Sequence, residues 1–161
     1  MSTSKKQPDP TSETESPPGV KPATSGWVPL GEHRYQVDGD LLLLELSGSE
    51  ILLADAEQLI EALTALQIQY GYYLLLADLR RGLGIAPAVR RRIASWSTDY
   101  RSTSATACLG AGTAARALVT LALQALRLLG RGTHRVEFFS NREAGQRWLM
   151  GQRDDLARPA T

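Results

Sequence analysis

The sequence has a single cysteine, Cys108, in 161 residues. No intramolecular disulfide can form, so a packed core must hold the fold. Its two histidines, His33 and His134, stand apart with no cysteine or carboxylate at ligand spacing, and no metal site is expected. Lysine is confined to Lys5, Lys6 and Lys21. No apolar run approaches the roughly 18 residues that a membrane span requires, so no transmembrane segment is expected. Met1 to Lys6 lacks the apolar stretch of a signal peptide. These absences together favour a cytoplasmic location. Aromatic residues make up only 6%. None is interleaved with the arginines on an exposed face, which argues against a nucleic-acid partner.

What is present suits one soluble globular domain: 43% hydrophobic residues, 22% charged residues and a length sufficient for a real core. The net charge is only +1, but it is unevenly spread. Residues 27–79 hold nine acids against Arg34 alone, a net of −8. Residues 80–161 hold fourteen arginines against five acids, a net of +9. Such asymmetry predicts an acidic protein surface as partner, or self-association.

Residues 1–26 are rich in Ser, Thr, Pro, Lys and Glu with almost no large apolar groups, so they cannot offset their ordering entropy and read as a disordered tail. The domain proper spans 27–150. Trp27 to Leu30 leads into a short strand, His33 to Val37. The Asp38-Gly39 turn joins it to Asp40–Leu46, whose leucine run predicts a strand covered on both faces. A first helix over Asp55–Tyr70 carries Leu59, Leu63, Leu66 and Tyr70 on its inner stripe, with Glu57, Glu61 and Thr64 outside.

The chain is organised around Tyr72 to Tyr100. The apolar run Tyr72–Ala77 closes on Asp78, a Gly-rich turn follows with Gly82 and Gly84, and Pro87 opens a second helix with Val89, Ile93, Trp96 and Tyr100 inside. Ser104 to Leu109 is a fourth strand. Gly110-Ala111-Gly112 is a tight turn before a third helix, Ala114 to Leu129, apolar nearly all round. Such a helix is buried on more than one side, against the sheet and against a neighbouring helix, a ligand or a second subunit. Arg135 to Phe139 is a fifth strand. Ser140 to Glu143 has the spacing of a capping box, opening a last helix with Trp148 and Leu149. Residues 151–161 should fray.

The expected class is therefore α/β: a mixed, mostly parallel five-stranded sheet with four helices in the order β-β-α-β-α-β-α-β-α. Ligand and partner sites gather at the carboxyl ends of such strands. The candidate binding residues are Arg80, Arg81, Arg90, Arg91, Arg92 and Arg101, with Asp78, Gly82 and Gly84 in the strand-end loop. The alternative for Arg90-Arg91-Arg92 is a solvated helix face. No general base accompanies Asp78 in sequence, Cys108 reads as a small core residue, and no catalytic residue or cofactor is expected.

Three stretches in this order resemble the STAS superfamily, and within it the SpoIIAA-like proteins. They are Leu74–Leu79, an apolar strand ending in Asp; Ile85–Arg91, with Pro87 at the helix entry; and Val136–Leu149, with its Ala144-x-x-x-Trp148-Leu149 helix. The likeness covers about Glu32 to Met150. It implies a non-enzymatic module that binds proteins, nucleotides or lipids. Members that antagonise anti-sigma factors carry a phosphorylatable serine at the start of the second helix, whereas Arg80–Pro87 contains no Ser or Thr. The topology shared with lipid-transfer CRAL-TRIO proteins implies an apolar ligand as the alternative.

Overall fold

In the computed structural model of the chain, residues 26–128 and 132–158 are described. The expected tail, 1–26, lies outside them but for Gly26. The elements are β1 (Val28–Leu30), β2 (His33–Asp38), β3 (Leu41–Glu45), β4 (Glu50–Ile51), α1 (Leu53–Tyr70), β5 (Tyr73–Asp78), β6 (Gly84–Ile85), α2 (Pro87–Asp99), β7 (Thr103–Leu109), α3 (Thr113–Leu128), β8 (Thr133–Phe139) and α4 (Arg142–Leu156). The class is α/β, with a mixed, mostly parallel sheet and four helices among the described residues.

The main sheet has six strands, ordered β1-β2-β3-β5-β7-β8, rather than the expected five. The added strand is β1. Gly31 adopts φ +58°, a left-handed conformation open to glycine at little cost. The chain thereby reverses within two residues, and Val28–Leu30 folds back on β2. Pro29 is tolerated because β1 is an edge strand. Outside the main sheet, β4 and β6 form a second, parallel pair, with Glu50 opposite Gly84 and Ile51 opposite Ile85.

β5, β7 and β8 are each parallel to the strand before them in the sheet. Every crossover steps the same way along the sheet, so right-handed connections carry α1, α2 and α3 to one face. α4 closes the other face. Leu41–Leu44 are accordingly all buried: Leu42 and Leu44 join the core under α1 and α2, while Leu41 and Leu43 join the core with Leu149 of α4.

Four details differ from the periodicity. α1 buries Ala56, Ile60, Leu63 and Leu66, and Tyr70 is exposed beside the left-handed Gly71 that ends the helix. Glu57 and Thr64 face α2 instead of solvent: Arg92 bonds Glu57, and Trp96 Nε1 donates to Thr64 Oγ1 at 3.1 Å. Tyr100 lies past the end of α2 in extended backbone, which takes it off the inner stripe and leaves it exposed. α3 has no buried residue; Leu121 is 63% and Leu128 88% exposed. It does touch the neighbouring α2 and turns Ala115, Val119, Leu123 and Leu126 toward the core and sheet, but none of its side chains is fully buried. Its expected end at Leu129 lies outside the described residues.

α4 starts on Asn141, whose Oδ1 accepts from Ala144 N at 2.9 Å. The expected Ser140–Glu143 box does not form, and Glu143 pairs with Arg147. The helix runs through Gly151 to Leu156 instead of fraying. Arg153 grips the buried Asp40 with contacts of 2.5 and 2.8 Å, and Arg135 reaches Asp155 at 3.2 Å.

Candidate functional site: the strand-end cleft

β3 ends on Glu45 and β5 on Asp78, and the parallel register sets these two acids side by side. The loops that follow them are tied by the β4–β6 pair. Gly84 permits that tie, because a Cβ there would stand 3.2 Å from Glu50 Cα. Gly82 turns the second loop at φ +105°. Between the loops and the start of β2 lies an open cleft of about 750 Å³, lined by Glu32, His33, Arg34, Glu45, Leu46, Ser47, Asp78, Arg80 and Arg81.

Most of its charges are answered internally. Arg80 clasps Asp78 through Nε at 2.9 and 3.0 Å and Nη2 at 2.5 Å. These bonds hold the Asp78 carboxyl below its ordinary value. Asp78 is thus an anion at neutral pH and a poor proton donor. Arg34 bonds Glu45 at 2.5 and 2.7 Å and lies over the Trp27 ring at 4.4 Å. Arg142 approaches the other Glu45 oxygen at 3.7 Å. Ser49 Oγ donates to Glu32. His33 is buried and its Nδ1 accepts from Ser47 N at 3.1 Å, which puts the ring hydrogen on Nε2. That Nε2 is buried without a hydrogen-bond partner, at a cost of about 1–3 kcal/mol. Arg81 has no ion pair among the described residues.

The expected arginines do not form one patch. Arg80 and Arg81 line the cleft. Arg90 and Arg91, in the first turns of α2, are exposed at the same end of the sheet and unpaired among the described residues. Arg92 is bound to Glu57 at 2.6 and 3.0 Å. Arg101 follows the far end of α2, about 20 Å away at 1.5 Å per residue. Sequence reasoning missed Glu32, His33, Arg34, Glu45 and Ser47. The available signal was Glu45, an acid closing a leucine run as Asp78 closes the next.

A second, apolar cavity of about 210 Å³ lies between the sheet and the helices, with Leu63, Tyr73, Trp96, Leu123, Leu126, His134 and Val136 in its walls. Leu123 and Leu126 of α3 form one wall, facing Val136 and His134 of β8. His134 Nδ1 and Ser104 Oγ are 2.9 Å apart, Nε2 is buried without a partner, and burial lowers the pKa of the ring. Burial likewise pushes the Cys108 thiol up to about 11, so it is not a ready nucleophile.

No group of three or more His, Cys, Asp or Glu among the described residues could hold a metal ion. No helix among them is long and apolar enough to cross a membrane. No protein-family model matches the chain, and no curated protein sequence matches it.

Proposed function

We propose that the protein is a non-enzymatic binding module of the STAS, SpoIIAA-like kind, which takes an acidic segment of a partner protein along the strand-end cleft and the first turns of α2. The observation that carries the reading is the set Arg81, Arg90 and Arg91. These cations share one end of the sheet and lack ion pairs among the described residues, while Arg80, Arg92 and Arg34 are occupied. Exposed cations contribute little to stability, and they attract an anionic partner mainly through association rate. Asp78 is neutralised by Arg80 and serves to position that loop. With no hydroxyl in Arg80–Pro87, control by phosphorylation there is absent from this reading. The test is fluorescence anisotropy with a labelled acidic peptide at low and high salt. Arg90→Glu/Arg91→Glu should keep the melting temperature and weaken binding by about tenfold, as salt does. Binding indifferent to both changes would sink the reading.

A second reading, a carrier of an apolar ligand, is favoured by the cavity beneath α3. Its 210 Å³ equals about seven waters at ~30 Å³ each, below the 300–1,000 Å³ typical of drug-sized sites. The ligand on this reading is small, with one polar atom to meet His134 Nε2, and is not a long-chain lipid. Native mass spectrometry of freshly purified protein separates the two readings by the presence or absence of an adduct.

A further inference from the structure

The two edges of the main sheet are unlike. β1 is three residues long and holds Pro29, both common protections against edge pairing. β8 is seven residues long, pairs with β7 in unbroken register from Thr133 to Phe139, and faces no other strand among the described residues. It contains no proline, lysine or bulge. Phe138 N donates to the carboxylate of its own neighbour, Glu137, at 3.1 Å, so this N–H points away from β7. Those of His134 and Val136 share its direction, because backbone groups alternate along a strand.

We propose that a second copy of this chain pairs antiparallel with β8 about a twofold axis at Val136, joining the two sheets edge to edge. The register follows from charge. With the axis at Val136, Arg135 stands opposite Glu137 of the second copy, and Glu137 opposite its Arg135. His134 then meets Phe138, and all seven residues overlap. Moving the axis to Arg135 or to Glu137 sets like charges opposite each other, which is destabilising. Moving it to His134 or Phe138 leaves only three residues paired. With outward N–H groups at 134, 136 and 138, Arg135 and Glu137 occupy the non-hydrogen-bonded pairs, where side chains approach closest. Glu137 is exposed and has no cationic partner among the described residues. Arg135 already reaches Gln152 and Asp155 on the α4 face, so its guanidinium is held on the side where Glu137 of the second copy arrives.

The helix layer agrees. Arg116 of α3 lies 4.9 Å over the Phe138 ring, so α3 sits on the face of Val136 and Phe138. A twofold axis through β8 brings the second α3 to the same face of the joined sheet.

The test uses the full chain in sedimentation equilibrium. Wild type is expected at twice its 17.5 kDa. Glu137→Arg and Arg135→Glu each put like charges opposite and should raise the dimer Kd by about tenfold or more. Mixing the two variants restores opposite charges at both pairs and should recover a heterodimer. Glu137 makes no ion pair among the described residues, so Glu137→Arg should melt like wild type. A monomeric wild type, a dimer indifferent to Glu137→Arg, or variants that fail to recombine would each overturn the proposal.

Discussion

Asp40 offers the sharpest test of the packing. It stands in the two-residue loop between β2 and β3 and is 6% exposed, yet its carboxylate serves two elements. Arg153 Nη2 and Nε lie at 2.5 and 2.8 Å, and the Tyr72 hydroxyl donates at 2.7 Å. Removing one member of a buried pair costs about 3–5 kcal/mol, since the other is left desolvated. Here Arg153 is partly exposed and regains water, which pulls the estimate down, while the buried Tyr72 hydroxyl loses its acceptor, worth about 1–3 kcal/mol. Asp40→Ala should therefore cost about 3–4 kcal/mol, or roughly 10 °C in Tm at this size. Urea unfolding gives the first number and calorimetry the second. Arg153→Met should also destabilise, and Asp40→Ala/Arg153→Met should cost clearly less than the two added. Titration supplies a further check. Burial, and then the Asp40 hydrogen bond, push the Tyr72 phenol up to about 12 from 10.0. A folded pKa above the unfolded one stabilises fully below pH 10, and that share, roughly 2–3 kcal/mol, is lost as pH rises through 12. Asp40→Asn should shrink the alkaline loss without abolishing it, because burial remains. A loss under about 1 kcal/mol for Asp40→Ala would refute the reasoning and reduce the cluster to a surface ion pair.

Trp96 is 6% exposed and packs its ring 6.2 Å from Tyr73. Trp96→Ala should cost about 3–5 kcal/mol in urea unfolding, and Thr64→Val, which removes only the acceptor of its Nε1, about 1 kcal/mol. Cys108 is 2% exposed with its thiol pushed up to about 11. A thiol reagent at pH 8 should label it only as fast as the native state opens, and complete labelling within seconds would place it at the surface.

The sequence made the layered pattern readable where a strand is buried on both faces. Leu41–Leu44 and Leu74–Ala77 have no alternation to mislead, and the helices between strands imply parallel crossovers. Short or irregular elements were not readable. β1 depends on a glycine reversal at Gly31, and β4 and β6 are two residues each, with no periodicity to detect. The third helix misled for a different reason. Its composition suits burial all round, but only the side with Ala115, Val119, Leu123 and Leu126 turns inward, and the opposite side with Leu121 and Leu128 stays exposed. In the cleft, Asp78 and Arg80 could be named from one run of chain, whereas His33 and Arg34 reach it from β2, about forty-five residues earlier, through pairing that only the hairpin register brings about.

The division of charge along the chain resolves in the same way. An acidic first part and a basic second part predict a polar molecule in search of a partner, but the fold brings the two parts together. Arg92 meets Glu57, Arg142 meets Glu45 and Arg153 meets Asp40. α4 provides the geometry. It crosses the sheet opposite α1 to α3 and runs antiparallel to β3, with Arg142 at the carboxyl end of that strand and Arg153 at the other. Eleven helical steps at 1.5 Å cover about 16.5 Å, and the five strand steps from Asp40 to Glu45, at ~3.3 Å each, cover the same length. The two arginines thus bracket the two acids with the helix lying along the strand direction. β5 and β7 provide the apolar contact for α4, and the long arginine stems reach past them to β3. Charges separated in sequence serve here to dock the last helix, while Arg81, Arg90 and Arg91 keep no ion pair among the described residues at the strand-end face.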